Sequence, residues 1–502
     1  MSQLKKLASD TAVYGASSIV GRMLNYLLVP YYTGVFVASE YGVVTEFYAY
    51  AAFFNVLYTY GLETAYFRFA SKDKTTEKST YSIAVTSILL STLVLSGSLL
   101  LFSSEIASTL GYPDKQHYVS WFALIFAIDA IVAIPFAKLR YDGKARLFAI
   151  SKLVNILLNI GLNLFFITFC KGVYEGQFLP GIKQSITHVY NPDFGVEYVF
   201  LSNLIANAAL LILLRKELFK VRISLNWAIL KPMLKYAYPL LFTGLAYVTN
   251  EMLSRWAIKY WTPESLYPGQ SNLEILGIFG AVYKLSIFMT LGIQAFRYAA
   301  EPFFFSNAET KESPELFSKV MHWFVIFGCF VLLAVSINLD LLQFLLRREE
   351  YRTGLYVVPI LLLANLFLGV FYNLSVWYKL TDRTHFGTWI TIFGAILTIA
   401  LNYILIPQYG YLGSSIVTLV TYILMTAVSY YLGRKYYPVP YKALRAAVYI
   451  ILTAAVTYTV LQIDIANQLI ATMFHLGILI IFVLAVFIFE KVPLPRKTGR
   501  FS

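Results

Sequence analysis

Residues 11–33 read TAVYGASSIVGRMLNYLLVPYYT. The run is almost wholly apolar and long enough to cross a bilayer, which takes about 20 residues. Lys5 and Lys6 precede it, as basic residues precede a secretory signal. A signal core is only about 7–15 residues long and ends at a small-x-small cleavage site. This run exceeds that length, carries Arg22 in its middle and offers no such site. It reads as a retained first transmembrane helix.

Comparable runs recur along the chain. Fourteen segments qualify as spans: 11–33, 42–66, 81–103, 118–137, 149–170, 196–214, 236–260, 275–297, 319–338, 354–378, 388–406, 411–432, 445–461 and 469–489. A transmembrane β-barrel shows alternating segments of about 10 residues instead. Composition agrees: 58% of the 502 residues are hydrophobic, 13% are charged, and the mean hydropathy is +0.65. Soluble domains hold about 45–50% apolar and about 25% charged residues. The expected fold is an all-α integral membrane protein with 14 transmembrane helices.

The formal charge is +13. In a membrane protein this is first a topology signal and not a nucleic-acid patch. With the N-terminus in the cytoplasm, 29 Lys and Arg fall on the inner side and 7 on the outer. The other four of the 40 (Arg22, Lys152, Arg255 and Lys284) lie inside spans. Both termini are therefore expected in the cytoplasm. Two cysteines without a CxxC and five scattered histidines give no disulfide framework and no metal site. No cofactor is implied.

The two halves echo each other. Lys138-Leu139-Arg140-Tyr141-Asp142-Gly143-Lys144 follows the fourth span, and Tyr378-Lys379-Leu380-Thr381-Asp382-Arg383 follows the tenth. The next span in each half ends in Leu158-Asn159-Ile160-Gly161-Leu162-Asn163 or Leu397-Thr398-Ile399-Ala400-Leu401-Asn402. A shift of 229 pairs Gly15 with Gly244, Met23 with Met252, Tyr31 with Tyr260, and Phe67-Arg68 with Phe296-Arg297. Six spans separate the copies, so the repeat is parallel, a plan that places a transporter's substrate site between its halves. The expected organisation is two pseudo-symmetric six-helix lobes, 1–214 and 236–432, joined by a basic connector, 215–235. Two extra helices follow in 445–489, then a tail, 490–502.

An ionisable group inside a span costs about 2.5–3.5 kcal/mol on insertion scales and needs a reason. The first span carries Ser17, Ser18, Gly21, Arg22 and Asn25; the seventh carries Asn250, Glu251, Ser254, Arg255 and Lys259. Glu251, Arg255 and Lys259 share a helical face at i, i+4, i+8. They read either as an internal Glu251–Arg255 pair with Lys259 snorkelling to the interface, or as part of a site. Arg22 has no acid within a helical turn, so its anion lies on another helix or on a ligand. Lys284, Arg68 and Arg297 add cations, and Glu46 and Glu63 add acids. The surplus of cations suits an anion, and Arg suits phosphate because its planar fork binds bidentately. Arg68 and Arg297 read equally as anchors at the membrane boundary. Asp129 in the fourth span reads either as a coupling site for a proton or cation or as a partner for nearby Lys152.

The opening Lys5-Lys6-Leu7-Ala8-Ser9-Asp10-Thr11-Ala12-Val13-Tyr14-Gly15, with Arg22 and Pro30-Tyr31-Tyr32, resembles the first helix of Wzx-type polysaccharide and oligosaccharide flippases of the multidrug/oligosaccharidyl-lipid/polysaccharide (MOP) exporter superfamily. So do Glu40-Tyr41-Gly42-Val43-Val44, Gly61-Leu62-Glu63-Thr64-Ala65-Tyr66-Phe67-Arg68 and Arg140-Tyr141-Asp142-Gly143-Lys144. The resemblance covers essentially the whole chain. It implies a V-shaped cavity, alternating access, and a polyprenyl-pyrophosphate-linked glycan carried from the inner to the outer leaflet of a bacterial cytoplasmic membrane. Arg22, Arg255 and Lys284 would hold the diphosphate, with the last two helices offering a groove for the lipid tail. The pathway would be O-antigen (lipopolysaccharide), capsule or exopolysaccharide synthesis. Membrane lipids would be partners, alongside the polysaccharide polymerase and glycosyltransferases.

Three alternatives remain: a peptidoglycan-precursor flippase, a drug/cation antiporter of the same superfamily, and a membrane-embedded polysaccharide polymerase or ligase. An antiporter for cations uses cavity acids, and the first span offers Arg22 and none. An enzyme needs acid–base groups converging on one face. The longest outer loop, 171–195, shows no such constellation.

Overall fold

The structure, a computed structural model, describes residues 19–72, 75–306 and 313–491. The opening motif through Gly15, with Ser17 and Ser18, lies outside the described residues, as does most of the expected tail. Among the described residues there are helices and turns and no strand. A helical stretch 19–26 leads into α1 (Leu28–Val35), α2 (Ala38–Thr59), α3 (Leu62–Lys72), α4 (Glu77–Leu101), α5 (Gln116–Tyr141), α6 (Ala145–Leu164) and α7 (Glu197–Leu213). There follow α8 (Trp227–Trp261), α9 (Asn272–Leu285), α10 (Ile287–Ser306), α11 (Ser313–Ile337), α12 (Val358–Leu374), α13 (His385–Tyr436), α14 (Ala443–Leu461) and α15 (Gln468–Phe489).

Every expected span falls on helix where it is described. Among the described residues, length and apolarity alone qualify eight helices as membrane spans, or nine when α9 and the first part of α10, bent by 46°, are taken as one. One of the eight, α13, is 52 residues long and covers two expected spans, broken at Gly410 with φ 55° and ψ −133°. Of the expected spans that do not qualify, the first is described only from residue 19, and the others are interrupted, bent, short or polar. The second is interrupted between α2 and α3 at Gly61, whose φ of 74° a side chain would resist. Glu251, Arg255 and Lys259 lower the apolarity of α8, and α7 has only 17 residues.

Two compact units emerge. One comprises Met1–Lys284, Leu346–Tyr351 and Thr388–Thr421; the other comprises Leu285–Leu345, Arg352–Gly387 and Tyr422–Ser502. These bounds differ from those of the two lobes expected from the repeat.

In the first unit, α2, α5 and α7 meet over an aromatic core. Phe47, Phe122 and Phe200 lie with ring centroids 4.9–5.5 Å apart, and Tyr118 packs edge-on against Phe47 and Phe200. Elsewhere α2 and α9 touch backbone to backbone. A Cβ at Gly42 would strike the carbonyl of Leu273, and one at Gly277 the carbonyl of Ala38. Membrane helices, lacking a hydrophobic drive to associate, pack through such small residues.

The repeat phrases perform like tasks. Tyr32 donates to Asn163 Oδ1 (2.9 Å), tying α6 to α1, while Asn402 donates to Ser254 (3.2 Å), tying α13 to α8. Each asparagine also donates four residues back along its own helix, at 2.8 Å. Both loop phrases end a helix with the same turn, in which Lys144 N–H bonds Leu139 O and Arg383 N–H bonds Tyr378 O (2.8 and 2.9 Å). The left-handed residue is Gly143 in one and Asp382 in the other, as a Schellman ending requires.

In the second unit, α11 packs against α12, α14 and α15. Leu333, Ile337 and Val460 form a buried cluster, extended by Ile478 and Phe482. The two helices outside the repeat thus dock on α11 in this unit. Their remaining faces are apolar and exposed, as Ile451, Tyr458, Ile481 and Ile488 show.

Candidate functional site

Within the first unit a cavity of about 300 Å³ opens among the helical stretch 19–26, α1, α2 and α6–α9. Arg255 and Lys284 line it, together with Asn25, Tyr41, Thr45, Tyr48, Asn159, Asn203 and Met252. Among the described residues no carboxylate lines it.

Arg255 is buried, its guanidinium 4.4 Å from the centre of the Tyr283 ring. It donates to the backbone carbonyl of Glu251 (3.0 Å) and meets the Met252 sulfur. The Glu251–Arg255 ion pair weighed from the i, i+4 spacing does not form; the Glu251 carboxylate accepts from Tyr247 instead (3.1 Å). One turn of helix carries the Arg255 side chain back along its own backbone and inward, so spacing alone misjudged its partner. Neither Arg255 nor Lys284 has an ion-pair partner among the described residues, and Lys284 is exposed in the first unit. Two cations with open donor capacity therefore converge from α8 and α9 on one cavity.

Arg22 is exposed and also has no ion-pair partner among the described residues. It does not line the cavity, but Asn25, three residues on along the helix, does.

The other residues singled out from sequence lie elsewhere. Lys259 is engaged with Glu46, bonding both carboxylate oxygens (2.7 and 2.8 Å) and the Leu110 carbonyl (2.9 Å). The same carboxylate accepts from Tyr50 (3.0 Å), Tyr112 (2.6 Å) and Tyr260 (3.3 Å). Glu63 pairs with Arg140. Arg68 rests over the Tyr236 ring at 4.3 Å. In the second unit Arg297 sits over Tyr372 at 4.3 Å and shares a small pocket with Lys379. Asp129 accepts from Asn207 (2.9 Å), which in turn accepts from Asn155 (2.9 Å), while Lys152 lies over the Phe136 ring at 4.2 Å.

The Arg140–Lys144 phrase is a clamp outside the spans. Lys138 bonds Glu77 (2.7 Å); Lys144 bonds Asp142 and Glu217 (each 2.9 Å); Lys220 closes on Glu217 (2.8 Å). Burial by itself would raise the Asp142 and Glu217 carboxyls. The hydrogen bonds and charges of Lys144, Lys138 and Lys220 outweigh it and hold both below the ordinary carboxylate range. Lys144 is held above its ordinary value, because its bonds to Glu217 and Asp142 outweigh its own desolvation.

Sequence reasoning missed the carboxamides. Asn25 and Asn159 appeared in polar or repeated phrases without a role, and Asn203 was passed over. The available signal was their place inside otherwise apolar spans, at 155, 159 and 163 on one helix and 203 and 207 on the next.

Residues 35–175 match the profile of a family described as "Polysaccharide biosynthesis protein". No curated protein matches the sequence as a relative. Among solved structures, the lipid II flippase MurJ in an inward closed conformation superposes with a TM-score of 0.69 at 12% identity, over 94% of this chain and 98% of that one. An inward-facing multidrug resistance MATE family transporter of the MOP superfamily gives 0.59 at 13% identity, over 88% and 95%. A MOP superfamily transporter from Pyrococcus furiosus, reported with a binding pocket of reversed polarity, gives 0.51 at 14%, over 88% and 95%. This chain is therefore a multi-pass membrane protein with the fold of the MOP superfamily transporters, as its sequence motifs led one to expect.

Proposed function

We propose that the protein is a flippase for a polyprenyl-pyrophosphate-linked oligosaccharide, moving it from the inner to the outer leaflet of a bacterial cytoplasmic membrane for surface polysaccharide synthesis. The observation that carries this reading is the cavity lined, among the described residues, by two open cations and no acid. An intramembrane cation is by default a functional-site candidate, and an anionic substrate would supply the charge that the Glu251 carbonyl does not give Arg255. The family profile over 35–175 supports a place in polysaccharide synthesis.

On this reading Arg255 and Lys284 hold the diphosphate, and Arg22 is the third cation, one turn from the cavity. Alternating access rocks the two six-helix lobes around that site, and the substrate undergoes no covalent change. Affinity stays moderate because the substrate must leave. Lys259 and Glu63, each committed to a protein partner, support the frame. Asp129, bonded by Asn207, is the proposed coupling group. An apolar groove of about 330 Å³ among α11, α12, α13 and α14 would receive part of the lipid tail. Both termini are proposed to face the cytoplasm, from the bias of basic loops. Polymerase and glycosyltransferases of the pathway are the proposed partners.

The fold likeness to MurJ favours one second reading, a lipid-linked peptidoglycan precursor, which presents the same diphosphate. A cavity without acids disfavours a drug/cation antiporter. The decisive test is purified protein in liposomes with labelled lipid-linked sugar. Leaflet transfer without bond formation is expected; a covalently extended product would establish a polymerase or ligase. Transfer of the peptidoglycan precursor but not of other lipid-linked sugars would select the second reading.

A further inference from the structure

The cavity has more polar chemistry than a diphosphate uses. The Asn25 side chain makes no hydrogen bond among the described residues and is exposed. Asn159 accepts at Oδ1 from Asn163 (3.1 Å), which leaves its Nδ2 donors open. Asn203 donates to the Tyr48 hydroxyl (2.7 Å), which leaves its Oδ1 an open acceptor and the Tyr48 hydroxyl free to donate. These amides come from the stretch 19–26, α6 and α7, whereas the cations come from α8 and α9.

A diphosphate offers acceptors only, so it satisfies Arg and Lys but finds no use for the Asn203 oxygen. A drug cation would want a carboxylate, and none lines the cavity. Three neutral carboxamides with open donors and open acceptors match a ligand that is itself both donor and acceptor at each position. That is the chemistry of sugar hydroxyls or an acetamido group.

Size narrows the ligand. At about 300 Å³ the cavity sits at the lower bound of small-ligand pockets, which run about 300–1,000 Å³. It has room for a diphosphate with one adjoining sugar and not for a whole oligosaccharide.

Resting on the flippase reading, we infer that Asn25, Asn159 and Asn203 form a recognition wall for the sugar attached directly to the diphosphate. The first sugar is then selected by hydrogen bonding, while the rest of the glycan lies outside the cavity and is read loosely. A site built to bond hydroxyls rejects analogues lacking them more strongly than an apolar pocket rejects a changed methylene.

The experiment uses the full chain in nanodiscs and two soluble probes: farnesyl diphosphate, and farnesyl diphosphate carrying one N-acetylhexosamine. Wild-type protein should bind the sugar-bearing probe at least several-fold more tightly. Asn25→Ala removes no protein hydrogen bond, and Asn159→Ala leaves Asn163 its backbone partner (2.8 Å), so both should fold. Each should weaken the sugar-bearing probe about three- to tenfold, the range of one net hydrogen bond, and move the sugar-free probe less than twofold. Equal losses for both probes, no loss for either, or equal wild-type affinity for the two would overturn the wall. Arg255→Gln should weaken both probes together. Should it weaken neither while Asn25→Ala still discriminates, the diphosphate reading fails and the sugar wall stands.

Discussion

Lys259 is a test of how far a charge in a span can be read as a ligand site. The Glu46 side chain is 0% exposed and that of Lys259 12%, so the pair has left water almost completely. Lys259→Met removes the ammonium and strands a buried carboxylate. Breaking such a pair from one side costs about 3–5 kcal/mol, because the remaining charge has lost its counter-ion. Here the three phenol donors on Glu46 stay in place and soften the loss, which puts the expected cost near the lower bound, about 2–3 kcal/mol. Glu46→Gln alone leaves Lys259 with the Leu110 carbonyl and the amide oxygen, and should cost a similar amount. The double change Glu46→Gln with Lys259→Met removes both charges and should recover most of the stability, since neutral replacements for buried pairs are often tolerated. Thermal unfolding of the four proteins in one detergent gives the coupling as a double-mutant cycle. With each single change costing about 2–3 kcal/mol and the double change about 1 kcal/mol, a coupling of about 3–5 kcal/mol is expected. A cycle that closes within about 0.5 kcal/mol, the scatter of independent sites, would refute the pairing. A Lys259→Met protein of full stability that no longer bound the farnesyl diphosphate probe would return this lysine to the substrate.

Arg255→Gln and Lys284→Gln should each lower leaflet transfer at unchanged expression, and Arg255→Lys should restore only part of it, because a point charge replaces a fork; outer-leaflet appearance of labelled lipid reads the result. Gly277→Ala should destabilise the protein by about 1–3 kcal/mol, as overpacking does, because its Cβ meets the fixed carbonyl of Ala38. Gly97→Ala, with open space around it, should not, and detergent melting compares the two. The clamp of Asp142, Glu217 and Lys144 should give a pH plateau. Carboxyls held low in the fold add stability that is present above about pH 4–4.5, their unfolded values, and is lost as pH falls through their lower folded values. Lys144, held high, adds stability that is present below about pH 10.4 and is lost as pH rises through its folded value. Lys144→Gln should shrink the acid limb, measured as melting temperature against pH.

Much of this could be read one residue at a time. The ends of α4, α5, α14 and α15 follow from apolar length, and the halves from paired phrases such as Asn163 and Asn402. Lys284 announced itself as a charge with no local acid, and Arg255 as one whose nearest acid, Glu251, stands four residues away. What could not be read was which charges were already satisfied. Lys259 and Arg255 sit on one face of one helix, four residues apart, and look equivalent. One is bound to Glu46, 213 positions away in the chain, and the other opens to a cavity. Glu63 likewise found Arg140 across 77 positions.

Sequence alone therefore determined that this chain lives in a membrane, because bilayer thickness and the cost of buried charge act on local composition. It also showed the paired phrases along the chain and its surplus of intramembrane cations. Tertiary structure alone decided which cations remain open and which amides stand beside them. A charge in low dielectric is defined by its neighbours in space, and helices crossing at small residues bring together side chains that no spacing rule connects.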